Sequence, residues 1–398
     1  MISVEPRSSV ISSIASTRLR RVAGALCFIT MAIVGCSKNE PTVSKEQLLS
    51  RANEAFAAER FVEAEKGYRE VLRVQPDNSE AQRQLGIIYY TQGQVRQAFP
   101  FLKKSLELQP DNVDVQLKLA LIYNAGRDFQ KSRDLARQIL EKKPGDQEAL
   151  LLMVYTADTP DALQEARNIV NKLKGQADDQ ATYHFVLGAI ELRQKDDTRA
   201  EAELKAALDL APKSAAIYAA LGNFYLSKQD LTAATQAYKT AAALSPLRSP
   251  LRLRYADLLL RTGAAAEAKK LVEDDARNAP DYLPNQVFLM KIACAEKRDD
   301  DCAARVEKIL AQDSFNYDAL FESGISSLSK GDTTRAIRIF EQLSGMTQDA
   351  RPRFQLALAY LLYAKGATAA EAQKAVVSAV NRLTEAVNVA PQFDQAIM

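Results

Sequence analysis

AQRQLGIIYYTQGQVRQAFPFLKKSLELQPDN, residues 81–112, decides how this chain folds. The stretch carries Leu85-Gly86 and Tyr89, then Ala98 and Leu102, then Pro110 followed by Asp111-Asn112. The same residue types return every 34 positions. Ala98 is one of nine small residues in strict register: Ala64, Ala98, Ser132, Ala166, Ala200, Ala234, Ala268, Cys302 and Ala336. Large apolar residues follow four positions later at Tyr68, Leu102, Leu204, Tyr238, Val272, Val306 and Phe340. Prolines follow twelve positions later at Pro76, Pro110, Pro144, Pro212, Pro246 and Pro280. A period of 34 is the length of one helix–turn–helix unit, and it predicts an all-α solenoid.

Each residue type has a physical task in such a unit. Small residues let two antiparallel helix axes approach. Leu, Tyr and Phe at i, i+3, i+4 and i+7 form the stripe each helix buries. Proline ends the second helix because it has no N–H to continue the ladder. Asp77-Asn78 and Asp111-Asn112 suit the turn or cap that follows.

The Leu-Gly pair, the Tyr, the central Ala, the aromatic and the late Pro together resemble the tetratricopeptide repeat (TPR) family over about residues 45–392. That resemblance implies a right-handed superhelix of about ten repeats. Units start at 45, 79, 113, 147, 181, 215, 249, 283 and 317, and a longer tenth spans 351–392. The fourth unit, 147–180, has Val154 where Gly or Ala is expected and Asp178 where Pro is expected. Its register survives, since Thr159-Pro160 reads as an N-cap with proline at N1. Two readings follow: a seam between sub-arrays, or a drifted repeat that stacks normally. Stacked hairpins imply one continuous core. Residues 393–398 read as the start of a further helix, which leaves the array uncapped and suggests a truncated chain.

Before the array, Arg18, Arg20 and Arg21 precede an apolar stretch at 22–34. A basic flank and an apolar core of thirteen residues, too few to span a bilayer, predict a secretory leader over 1–35. The leader ends Ile33-Val34-Gly35-Cys36, which resembles the lipobox of bacterial lipoproteins. The resemblance implies lipid attachment at Cys36, a polar tether over 36–44, and anchoring by several acyl chains. Ser37 rather than Asp follows the cysteine, and in that family this favours the outer membrane, facing the periplasm.

Charge and composition argue against other classes. The chain is formally +2; residues 1–35 hold four Arg and one Glu, +3, so the remainder is −1. No basic tract appears, so no nucleic-acid partner is expected. One histidine, His184, excludes multi-His metal sites and His-paired nucleophiles that need a second His. It reads as packed between helices. The run Asp299-Asp300-Asp301 reads as a solvated turn with N-cap duty. No catalytic residue, cofactor, metal or small-molecule substrate is predicted.

After loss of Cys27 with the leader and lipidation of Cys36, Cys294 and Cys302 remain. Their places, late in one helix and early in the next, fit either a local disulfide or two buried thiols.

Binding is the expected activity. The TPR resemblance places positions two, five, nine, twelve and thirteen of each first helix on the concave face. The candidates there are Asn53, Arg83, Tyr90, Asn124, Phe185, Arg193, Asn223, Asp257 and Arg261, with Leu117, Leu121, Leu192, Leu226 and Leu253 beside them. Mixed polar and apolar residues suit an extended peptide or partner helix. The whole pattern looks like TPR lipoproteins of PEP-CTERM and exopolysaccharide export systems. That implies a non-catalytic envelope scaffold binding protein or peptide partners. Pilus assembly and peptidoglycan-enzyme complexes are alternatives within the class. An appendage of an enzyme whose catalytic domain lies elsewhere is an alternative of another class.

Overall fold

The computed structural model describes residues 44–176 and 180–392. The predicted leader, Cys36, the tether up to residue 43, Asp178 and residues 393–398 lie outside them. Among the described residues the chain forms twenty α-helices and no strand. The helices, α1 to α20 in chain order, run in pairs from α1 (Lys45–Ala57) and α2 (Phe61–Val74) to α19 (Ala350–Ala364) and α20 (Ala369–Val389). Each second helix packs on its own partner and on the first helix of the next pair. The last pair is the longest, at 15 and 21 residues, which accounts for the length of the tenth unit. No described helix is long and apolar enough to cross a membrane.

The period sets the packing. Eight of the nine small rungs are buried to within 1% of full burial; the exception, Cys302, is half-buried. Ser132 is fully buried because its hydroxyl donates to the Ala120 carbonyl at 2.9 Å, so no polar atom is stranded. The large residue four positions on fills a hole left by glycine in the first helix. A Cβ on Gly86 would stand 2.6 Å from Leu102 Cδ2, on Gly188 2.9 Å from Leu204 Cγ, and on Gly324 2.5 Å from Phe340 Cζ. Glycine is therefore the seat of the side chain opposite, as well as a spacer between axes.

The turns within pairs repeat as well. Glu59, Gly93, Arg127, Lys195, Gln229, Gly263, Lys297 and Gly331 all have positive φ, between 53° and 84°, and stand at multiples of 34 from one another. The next N–H reaches back to a carbonyl of the finished helix, as Arg60 N to Ala55 O at 2.9 Å and Asp128 N to Tyr123 O at 2.9 Å. This closure satisfies carbonyls that the helix end leaves open. Asp128, Asp196, Asp230 and Asp332 then cap the following helix through a carboxylate oxygen.

The fourth pair, α7 (Gln147–Tyr155) and α8 (Pro160–Asn171), lacks this turn. The first helix stops early at nine residues, and residues 156–158 are clamped instead. The Arg133 guanidinium donates to the Thr156 carbonyl and, at 2.8 Å, to Asp158. From the other side Arg193 donates to the Ala157 carbonyl. Six consecutive residues of α7, Ala149, Leu150, Leu151, Leu152, Met153 and Val154, are buried. One apolar cluster runs through the described residues of the fourth unit, from Ala52 to Ala237, although α8 buries only Ala166 and Val170. No seam divides the array there. Three further clusters of buried residues cover later stretches, up to Leu289, Ala319 and Ala359, while every helix still packs on the next. Half-buried Tyr225 packs against both the first and the second cluster, and half-buried Leu310 against both of the last two.

Candidate functional site

First helices of successive pairs also touch each other, as α5 (Val113–Ala125) with α7 and α7 with α9 (Gln180–Gln194). That places the first helices on the inside of the curve, where a partner would lie.

The predicted inner-face residues divide by what holds them. Tyr90, on α3 (Ser79–Thr91), lies under the Lys118 ammonium at 5.8 Å, and Lys118 is ion-paired with Asp114. Burial, with Glu148 and Asp114 nearby, pushes the Tyr90 hydroxyl up to about 12. Asn53 and Asn223 are engaged within the fold. Asn53 accepts from Tyr68 OH at 2.7 Å and donates to Glu80 at 2.9 Å. Asn223 accepts from Tyr238 OH at 2.6 Å and from Arg254 at 3.3 Å. Arg83 is half-buried, and Arg193 is spent on the Ala157 carbonyl. Asn124 is half-buried, while Asp257 and Arg261 on α13 (Pro250–Arg261) are exposed. Phe185 is a correction. It is 2% exposed and belongs to the core, because α9 is packed against α7 as well as against its own partner. It cannot meet a ligand.

Position two of the first helices, also on the predicted concave face, is acidic in each of the first four repeats. Glu46, Glu80, Asp114 and Glu148 stand 34 apart, each in the first turn of its helix. Burial and then the neighbouring Asp146 raise the Glu148 carboxyl above the ordinary carboxylate value, with Lys118 opposing. The first helices of the first four repeats therefore carry a carboxylate at the same position, and two of these, Asp114 and Glu148, lie near the Tyr90 hydroxyl.

The array also touches itself. Leu283 N donates to the Gln92 carbonyl at 3.1 Å, and Gln97 Nε2 to the Gln312 carbonyl at 3.1 Å. Arg248 stacks on the Phe61 ring at 5.1 Å, pairs with Glu59 at 3.2 Å and with Asp281 at 2.9 Å. These contacts join the first two repeats to the junctions around repeats seven to nine. Tyr282, at this seam, has its hydroxyl pushed up to about 12 by burial, with Tyr90 adding to it. A cavity of about 300 Å³ opens beside the seam, lined in part by Gly93, Leu253, Pro284 and Phe288. No sequence signal pointed to any of this, since the hydrogen-bonded partners across the seam are 189 to 215 residues apart.

Cys294 and Cys302 are joined by a disulfide with Cα atoms 5.0 Å apart. It ties α15 (Leu283–Ala295) to α16 (Asp299–Gln312). Asp299-Asp300-Asp301 is not the turn but the first turn of α16; the N-cap is Arg298, and Asp301 pairs with Arg298 and Arg305. Acidic residues there complement the helix dipole. His184 Nδ1 lies 2.6 Å from Glu203 of the paired helix α10 (Asp197–Leu210). The disulfide closes only a short loop, its cysteines eight residues apart in sequence, so its reduction is expected to cost at most about 2–3 kcal/mol. The effect should concentrate in the eighth repeat. Amide exchange with and without reductant would show it; a uniform loss of protection along the array would contradict it.

Two family profiles described as tetratricopeptide repeat match the chain, one over residues 91–153 and 225–285, the other over 49–112 and 154–215. Together they cover more than half of it. No curated protein matches the sequence. Among solved structures, the chain is similar to yeast Tom70, at 14% identity and a TM-score of 0.45, over 88% of this chain and 86% of that one. It is similar to a tetratricopeptide repeat protein from Parabacteroides merdae at 16% identity and 0.43, over 58% and 92%. It is also similar to the TPR domain of P58(IPK) at 15% and 0.29, over 89% and 95%.

Proposed function

The chain belongs to the tetratricopeptide repeat family, and from that premise we propose that it is a membrane-anchored scaffold facing the periplasm, which holds a partner protein during assembly of an envelope export machinery. The observation that carries the binding half is the pair Asp114 and Glu148 near the Tyr90 hydroxyl, with Glu80 at the same position of the second repeat. Carboxylates near an aromatic side chain suit a segment carrying Lys or Arg with an apolar side chain between them. The anchoring half rests on the sequence alone: the basic flank, the short apolar core and Ile33-Val34-Gly35-Cys36.

Affinity capture from solubilised envelope separates the two halves. Wild type should recover a partner and fractionate with membrane. Cys36→Ala should leave the membrane while still binding a purified partner. The triple change Glu80→Gln, Asp114→Asn and Glu148→Gln should keep the membrane location and lose the partner by about tenfold or more, most strongly at low salt. Membrane association of Cys36→Ala equal to wild type would overturn the anchor, and undiminished capture by the triple variant would overturn the inner-face site.

A further inference from the structure

The Cys294–Cys302 pair has a third neighbour. A carboxylate oxygen of Glu322, on α17 (Tyr317–Ser329), and the two Sγ atoms all lie within 4.8 Å of one another. All three residues are half-buried. They line one hollow of about 500 Å³ that Asp299, Asp300 and Glu307 share. The disulfide packs on one side against Met290, Val306 and Ile309 and on the other opens to the hollow, which Lys330 and Arg335 also line, with the Glu322 carboxylate beside it.

We propose that reduction of Cys294–Cys302 uncovers a binding site for a thiophilic divalent cation, zinc in the first place, formed by Cys294 Sγ, Cys302 Sγ and the Glu322 carboxylate. Two thiolates and a carboxylate are a zinc donor set, with Zn–S near about 2.3 Å and Zn–O near about 2.0–2.2 Å. Two thiolates on one tetrahedral zinc stand roughly 3.8 Å apart. The Cα separation of 5.0 Å allows that by side-chain rotation, with the helices in place. The fourth position opens onto the hollow and takes water. The balance is simple. A dithiol gives two electrons to the Sγ–Sγ bond and becomes a cyclic disulfide. The two thiols formed release their protons to solvent as the cation binds.

The exchange alters what is tied to what. The disulfide joins α15 to α16 within the eighth repeat, whereas the cation also takes in α17 of the ninth. Redox state and metal together then set how firmly repeats eight and nine are joined. A charged ligand from the next repeat is unnecessary for a purely structural disulfide, and Glu322 supplies it.

The test uses the full chain with Cys27→Ser and Cys36→Ser, so that the two thiols are the only ones. The reduced protein should bind one equivalent of Zn²⁺. With Co²⁺ as probe it should show thiolate-to-metal charge-transfer absorption. Glu322→Gln should weaken the affinity by about tenfold or more. Cys302→Ala should abolish stoichiometric binding, and it should fold, because alanine is what seven of the other eight rungs carry. The oxidised chain should bind none. Absence of stoichiometric Zn²⁺ binding in the reduced chain would overturn the proposal, as would equal binding by the oxidised chain or by Cys302→Ala. Unchanged affinity in Glu322→Gln would remove the carboxylate from the site.

Discussion

Tyr238→Ala should destabilise the array by about 3–5 kcal/mol, at the upper end of that range, while Tyr238→Phe should cost only about 1 kcal/mol. The side chain is 1% exposed, and its ring sits directly against Gly222 of α11 (Ala215–Ser227), where a Cβ would come within 2.6 Å of Tyr238 Cδ2. Truncation therefore opens a cavity whose facing wall is a glycine, with no side chain to swing into it. The hydroxyl donates to Asn223 at 2.6 Å and accepts a long hydrogen bond from Arg254 Nε at 3.5 Å, and these are all that Tyr238→Phe removes. Adding Gly222→Leu to Tyr238→Ala refills the hole from the other helix and removes a helix-interior glycine, itself worth about 1 kcal/mol. The pair should recover much of the loss, although Gly222→Leu alone should be severely destabilising. Urea denaturation of the four chains, followed by circular dichroism, closes the cycle. Additive losses would show that the two positions do not share one space. A solenoid couples mainly to nearest neighbours, so the single Tyr238→Ala transition should also broaden as the sixth repeat unfolds ahead of the ends.

That pairing was legible before any coordinates, and the reason is local. Gly222 and Tyr238 are 16 residues apart, and the same step separates Gly86 from Leu102, Gly188 from Leu204 and Gly324 from Phe340. A repeat protein writes each contact within a unit many times over, so a period reveals it. The left-handed turn positions belong to the same class and were overlooked because five of the eight are not glycine. Groove residues are harder to read. The same position-five slot gives half-buried Arg83 in the second repeat and core Phe185 in the fifth, because α7 stops after nine residues and α9 packs in behind it. What could not be read at all are contacts made once. Glu322 lies 20 residues beyond Cys302, with no repeat to mark it. The seam depends on the summed rotation of five to six repeats, to which every junction contributes a little. A period says that the array curves; it does not say after how many units it meets itself.

Gly93→Leu should open that seam, and Gly263→Leu should not. Both glycines have positive φ, 76° and 84°, at the same turn position of their repeats. Both substitutions therefore incur a similar backbone cost of about 1–2 kcal/mol. Five other repeats carry Glu59, Arg127, Lys195, Gln229 and Lys297 in that conformation, so the turn alone does not require glycine. What singles out Gly93 is its neighbour: a Cβ would lie 2.4 Å from Pro284 Cγ, whereas nothing lies within 4 Å at Gly263. A proline ring has no rotamer into which to retreat, so the turn and the junction must part. The Gln92–Leu283 backbone hydrogen bond goes with them. Helix content should remain that of wild type, because the seam carries none of the contacts within or between adjacent repeats. A pair of spin labels on exposed positions flanking Gly93 and Pro284 should give one short distance in wild type and in Gly263→Leu, and a longer, broader distribution in Gly93→Leu. The radius of gyration should rise in Gly93→Leu alone. A broad distance already present in wild type would mean that the two turns are not held together in solution. If the seam opens as expected, binding at the inner face becomes the informative second readout. A segment that enters between the turns should associate faster with Gly93→Leu, since the free energy spent on separating the turns has already been spent by the mutation.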